Sequence, residues 1–157
     1  GKNHIQFVKG DSQVYEVGIP AAGGAILAAE TAFEGQPAFG LIRPPGHHAS
    51  PHSCWGFCYF NNIAIAIKRL ISGKKIKSAL ILDFDLHYGD GTSNTFTGSP
   101  SVSYFHPEGT RREGFLEEVK RCLQTERPCD VIAISAGFDR HEEDWGGLLK
   151  TEDYFTI

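Results

Sequence analysis

Methionine is missing altogether from the 157 residues, tryptophan occurs only twice, and the cysteines number four. None of Cys54, Cys58, Cys122 and Cys129 lies in a CxxC pair or at zinc-finger spacing, which excludes a structural zinc module and a secreted disulfide scaffold. Buried or free thiols in a reducing, intracellular and hence cytoplasmic setting are expected instead. Long apolar runs are absent too. Nothing approaches the roughly 20 residues of a membrane span, and residues 1–10 lack the apolar stretch of a secretion signal. Excess charge is small, with 15 basic against 19 acidic side chains for a net −4, which argues against a general nucleic-acid surface. No repeat, low-complexity tract or charge block divides the chain. Its length suffices for one core but not comfortably for two. Residues 1–157 therefore read as a single domain, and the missing initiator and the stop at Thr156-Ile157 mark it as incomplete.

What is present is an alternation of strand-like and helix-like segments. Residues 38–42, 78–82 and 130–135 are short apolar runs of the kind buried on both faces of a parallel sheet. Residues 21–33, 61–72 and 115–126 have helix-forming composition, with Gly35 and Gly73 as C-terminal glycines, Asn61 or Asn62 as a cap, and Pro128 beyond the third. The pattern predicts an α/β fold, a parallel sheet flanked by helices. Each strand ends in polar residues, and ligands of such sheets bind beyond the carboxyl ends of the strands. That edge receives His47 and His48, then Asp83, Asp85 and His87, then Asp139.

In Asp83-Phe84-Asp85-Leu86-His87, residues two apart on an extended chain share a face, so two carboxylates and an imidazole converge. The bland reading is a hydrogen-bonded polar cluster at a strand end. With Asp139 at the matching place on another strand, a metal site is the better reading. Carboxylates and histidine without cysteine form the catalytic rather than the structural pattern for zinc, and iron(II), cobalt(II) or manganese(II) suit the same donors. In Arg43-Pro44-Pro45-Gly46-His47-His48 the prolines stiffen the approach to paired imidazoles. Taken alone, that segment reads equally well as a proline-rich turn carrying solvated histidines. Beside the aspartates, His48 becomes a general base and His47, kept charged by a carboxylate, a stabiliser of negative charge. Asp83 and Asp90 are the natural orienting carboxylates. Gly89-Asp90-Gly91-Thr92 reads as the turn that positions Asp90, since it lacks the lysine of a phosphate loop. The aromatics around Gly56-Phe57 are ordinarily core, yet their place soon after the histidines suits the wall of a narrow pocket. His52, Cys54 and Cys58 lack a fourth ligand for a second site, and His4, His106 and His141 are left as surface or core histidines.

The segments RPPGHH (43–48), GFCYFNN (56–62), DFDLHYGDGT (83–92) and SAGFD (135–139) together resemble the zinc-dependent histone deacetylase family, which includes acetylpolyamine amidohydrolases and acetoin-utilisation proteins and has the arginase-deacetylase fold. The resemblance runs from about Ala21 to Tyr154. It implies that Asp85, His87 and Asp139 are the zinc ligands and that His47 and His48 are the catalytic pair, partnered by Asp83 and Asp90. Gly56 and Phe57 would line the acyl-lysine channel. A structural potassium ion is implied near Asp83, Asp85 and His87, held by backbone oxygens and a serine, with Ser103 the candidate. The implied reaction removes acetyl from an N-acetylated amine, either a small acetylpolyamine or an acetylated protein. Oligomeric state is left open. The chain departs from the family in three ways: N-terminal strands and a rim loop have no counterpart, the 107–115 segment is short, and the oxyanion-stabilising tyrosine or histidine has no match up to Ile157. Two other readings remain at this point, a two-metal ureohydrolase of the arginase type and a non-catalytic acyl-lysine or partner-binding module.

Overall fold

The structure is a computed structural model that describes residues 12–157, so His4 lies outside the described residues. Its elements in chain order are α1 (Ser12–Phe33), α2 (Asn62–Ser72), β1 (Ala79–Asp83), α3 (Asp90–Phe96), β2 (Val102–Phe105), α4 (Arg112–Thr125), β3 (Val131–Ser135) and a 3-10 helix, Thr151–Phe155. The strands form a parallel sheet in the order β2-β1-β3.

β1 is central and every one of its residues is buried, which is why it reads as an unbroken apolar run closed by a carboxylate. Alternation along it feeds two cores. Ala79 and Ile81 pack with Ile67 and Leu70 of α2, Phe96 of α3 and Val102. Leu82 packs on the other side with Phe84, Phe115 and Val119 of α4, and Leu149. Helices thus cover both faces of β1, and each buried Ile, Leu or Phe contributes about 1.5–3 kcal/mol, whereas β3 departs from the expected burial on both faces, with Ile132 50% and Ile134 46% exposed. α2 begins where Asn61 Oδ1 accepts the Ala64 N–H at 3.1 Å, a cap worth about 1 kcal/mol. The second asparagine turns back instead, with Asn62 Nδ2 donating to the Pro44 carbonyl at 3.0 Å.

The expected strand at 38–42 is not formed. Leu41 is 93% exposed and Phe39 68% exposed, and no described strand lies beside the run to satisfy its backbone groups. β2 and α3 escaped the sequence reading. β2 has only four residues. The stretch Asp90–Phe96, DGTSNTF, is too polar and too poor in helix formers to stand out, although Asp90 in its first turn suits the helix dipole. α1 extends back to Ser12, running through Pro20.

Asp130 joins the entries of β1 and β3, because its Oδ2 accepts from Lys77 N at 2.7 Å and Ser78 N at 3.0 Å. These two backbone bonds hold its carboxyl below the usual carboxylate range. The stabilisation is therefore complete above the unfolded value of about 4 and fades as pH falls through the lower folded value. Asp130→Asn is expected to lower the thermal midpoint at neutral pH, with the deficit shrinking as pH falls from about 5 through about 4 and below. A deficit constant over that range would show that the carboxylate charge contributes nothing at this junction.

Candidate metal centre

The carboxyl ends of β1 and β3 lie side by side, with Asp83 in register with Ser135. The loops that follow them bring Asp85, His87 and Asp139 together, each offering a ligand atom within 4.8 Å of the others. His87 Nδ1 lies 3.1 Å from Asp85 Oδ1 and 3.0 Å from Asp139 Oδ2. The other oxygen of Asp139 accepts the Leu86 N–H at 2.9 Å, and Asp85 Oδ1 also accepts the His87 N–H at 2.8 Å. The carboxylates are thus aimed by backbone donors of the loop they face. This approach needs a glycine at 137, since a Cβ there would run into the Asp85 carboxylate. The side chains of Asp85 and Asp139 are about one-fifth exposed and that of His87 43%, so one side of the triad is open to solvent. Two carboxylate oxygens and one imidazole nitrogen with an open side fit zinc in its catalytic pattern, and fit iron(II) or cobalt(II) as well.

The tandem histidines stand next to this triad, each on its own carboxylate. His47 Nδ1 is 3.1 Å from Asp83 Oδ2, and its Nε2 is 3.8 Å from Asp85 Oδ1. His48 Nδ1 is 2.6 Å from Asp90 Oδ1. The two rings are 4.1 Å apart, and the His48 ring is 6.1 Å from that of His87. Burial disfavours the charged form of both, but they end on opposite sides of the ordinary value. At His47 the hydrogen bond and charge of Asp83, with Asp85 and Asp139 behind it, outweigh burial and raise the pKa. At His48 burial and the neighbouring His47 prevail over Asp90 and lower it. Gly56, at φ +59°, makes room for this pair, since a Cβ there would meet His48 Cδ2 at 2.5 Å. Phe57 follows, also at positive φ (62°), with its ring 83% exposed.

Four supporting side chains were invisible in the sequence. Trp55 packs on His48, with ring centroids 3.9 Å apart at 33°, and its Nε1 donates to Asp90 Oδ2 at 2.9 Å. Asp90 therefore serves the imidazole with one oxygen and the indole with the other. Tyr104 donates its hydroxyl to Asp83 Oδ2 at 3.1 Å and accepts from Gly89 N at 2.9 Å. Burial and the Asp83 charge push its pKa far up, so it remains a donor. Trp145, 80% exposed, stands edge-on to His87 at 6.0 Å. Arg140 spans the loops beneath the triad. The aromatic run around Trp55 and the arginine directly after Asp139 were the available signals, but neither is diagnostic without its partner.

The candidate Ser103 is corrected. Parallel pairing sets Ser103 against Leu80 and Tyr104 against Ile81, so the side-chain alternation of β2 turns Tyr104, not Ser103, toward Asp83. The Ser103 hydroxyl instead donates to Glu126 Oε1 at 2.8 Å. Cys58 is buried and its thiol is pushed up to about 11 by that burial, the opposite of what a metal-bound thiolate needs. His106 is neither surface nor plain core, since its Nε2 lies 3.1 Å from Arg140 Nη2. His141 Nε2 lies 3.0 Å from the Thr151 hydroxyl.

Comparison with known proteins agrees with this geometry. The family model described as the histone deacetylase domain matches residues 7–115. A probable deacetylase of Methanothermobacter thermautotrophicus is 34% identical across 87% of this chain and 52% of its own length. One from Archaeoglobus fulgidus is 37% identical across 83% and 46%. The chain thus spans about half the length of these curated relatives. Among solved structures, an acetylpolyamine aminohydrolase from Burkholderia pseudomallei superposes with a TM-score of 0.70 at 28% identity, covering 79% of this chain and 46% of that one.

Removing one donor tests the centre directly. Asp139→Ala leaves two protein ligands and is expected to weaken zinc or cobalt binding by more than the roughly 100-fold that marks the loss of an outer partner. Competition against a chelator measures it, and stoichiometric metal held at unchanged affinity would show that Asp139 is not a ligand.

Proposed function

The chain belongs to the histone deacetylase family, and we propose that it is the catalytic part of a metal-dependent deacetylase acting on N-acetylated amines. The observation that supports this best is the pairing of two adjacent imidazoles, each hydrogen-bonded to its own carboxylate, with an open two-carboxylate, one-imidazole triad. Asp85, His87 and Asp139 are the residues proposed to hold the ion, with zinc as the first choice. Such an ion supplies polarisation of the amide carbonyl and a water acidic enough to attack near neutral pH.

The chain's own residues manage the protons and the substrate. With Nδ1 donating to Asp90, His48 presents the Nε2 lone pair, the orientation a general base needs to take a proton from the attacking water. Its lowered pKa keeps that lone pair free at neutral pH. His47, with Nδ1 on Asp83, presents Nε2 on the Asp85 side and is placed to donate toward negative charge developing at the carbonyl oxygen. Asp83 and Asp90 set the tautomers and the ring planes. Gly56 lets the backbone pass close to His48, while the exposed rings of Phe57 and Trp145 offer an apolar rim for a slender acyl-amine chain. Acetyl-lysine and acetylpolyamine both meet that description. All the cysteines are free, which supports an intracellular, cytoplasmic setting. No described helix is long and apolar enough to cross a membrane.

The test is hydrolysis of acetyl-lysine peptides and of acetylated polyamines by the metal-loaded protein. His48→Ala is expected to keep its metal and lose about 10²- to 10⁴-fold in rate. Stoichiometric metal and acetyl-amide binding without turnover in the unmodified protein would instead favour a binding module. Trp55→Phe keeps the stacking surface on His48 but drops the bond to Asp90. It is expected to lower kcat by roughly tenfold or less, about 1.4 kcal/mol, with little change in KM. An unchanged kcat would leave Trp55 as a packing residue alone.

A further inference from the structure

Arg140 is only 6% exposed, yet its guanidinium makes no hydrogen bond to a carboxylate. It is surrounded by backbone carbonyls. Nε donates to Phe84 O at 3.2 Å and to Asp85 O at 3.1 Å. Nη2 donates to Pro107 O at 3.2 Å and lies 3.5 Å from Leu86 O and 3.1 Å from His106 Nε2. The Phe115 ring closes one face, with the guanidinium carbon 4.8 Å from its centroid. Three consecutive carbonyls from the loop after β1 therefore turn toward one point, and a fourth arrives from the exit of β2. Oxygen dipoles converge in this way around a cation. Here the chain supplies that cation itself.

The implied potassium ion does not fit this arrangement. The guanidinium stands where the carbonyls of Phe84, Asp85, Leu86 and Pro107 converge, and the candidate serine points at Glu126. We propose that Arg140 is a built-in replacement for a monovalent cation, a positioning residue that fixes the Asp85–His87 loop against β2 and β3 so that the metal triad forms without potassium. The backbone of Arg140 is anchored in turn, since its carbonyl accepts from Leu148 N at 3.0 Å and Leu149 N at 2.8 Å. One residue thus couples both loops that deliver the ligands and ties them to the exit of β2: it follows Asp139 directly, it grips the carbonyls on either side of Asp85 as well as Asp85's own, and it holds the Pro107 carbonyl.

The proposal rests on the metal reading of Asp85, His87 and Asp139, so its test uses two readouts. Cobalt(II) affinity, read from visible absorption, and the thermal midpoint are measured for the intact protein in choline chloride and in potassium chloride of equal ionic strength. Both are expected to be indifferent to potassium in the unmodified protein. A rise in either on adding potassium overturns the proposal. Arg140→Ala is expected to lose about 10- to 100-fold in cobalt affinity in choline and to regain it with potassium or methylguanidinium. A folded alanine variant that loses nothing, or that neither cation restores, also overturns it. If the alanine variant does not fold in any of these salts, Arg140→Lys decides. Affinity kept within tenfold supports an internal cation, and a larger loss in a folded lysine variant refutes it. Should the unmodified protein take up no divalent ion, the metal reading fails on its own, and the midpoints still decide the role of Arg140.

Discussion

Asp83 is a carboxylate with no exposed surface, set at the last position of the central strand. Burying a charge there costs several kcal/mol unless its oxygens are occupied, and the surroundings are arranged to occupy them. Oδ1 accepts the Asp85 N–H, while Oδ2 faces His47 Nδ1 and the Tyr104 hydroxyl. Each of these partners belongs to a different part of the site. The first bends the chain after β1 so that Asp85 and His87 leave it together. The second orients the first of the two histidines. The third ties β2 to the sheet end and, through Gly89 N, the turn that carries Asp90. Satisfying one buried oxyanion therefore also sets the attitudes of the proposed metal triad, one imidazole and the neighbouring carboxylate.

This dependence explains what could be seen in the sequence and what could not. The run that became β1 was legible because a strand covered on both faces is continuously apolar, the run that became β3 because it is equally apolar although Ile132 and Ile134 lie half exposed, and α2 because its cap and terminal glycine are local signals. Asp83, Asp85, His87, Asp139 and the histidine pair were legible because their residue types and their places at strand ends are one-dimensional facts. The run at 38–42 is apolar as β1 is, but a strand also requires a neighbour, which composition does not report. Tyr104, Trp55 and Arg140 were missed for a related reason. Their roles lie in bonds to residues 15 to 56 positions away, and nothing local distinguishes an arginine that grips carbonyls from one on the surface. The mistaken choice of Ser103 came from the same source, since a single register position decides which side chain of β2 faces Asp83.

Similar chemistry in the two histidines is separated by their surroundings. They are adjacent in sequence, with rings 4.1 Å apart, and both are hydrogen-bonded to an aspartate. Asp83, wholly buried, acts on His47 at full strength. The Asp90 side chain is 37% exposed and shares its second oxygen with Trp55, and at His48 burial, to which the indole packed on the ring adds, and the neighbouring His47 outweigh it. A proton on one imidazole also repels a proton on the other. Two equal residues thus become unequal by position, and the proposed division between acid and base draws on that inequality.

The charges at this edge point the same way as the donor geometry. Asp83, Asp85, Asp90 and Asp139 bring four carboxylates to a single region. Arg140 is the permanent cation set among them, but its hydrogen bonds go to carbonyls, so it offsets their charge only through space. A histidine proton shared with Asp83 neutralises one more. What remains is a residual negative charge centred on Asp85 and Asp139, the two carboxylates that have backbone donors but no cationic side chain of their own beyond the neighbouring imidazoles. A divalent ion is the compact species whose charge matches that remainder, and His87 Nδ1, facing both oxygens, completes a donor set for it. The electrostatic demand of the fold and the coordination demand of the proposed ion thus fall on the same three side chains.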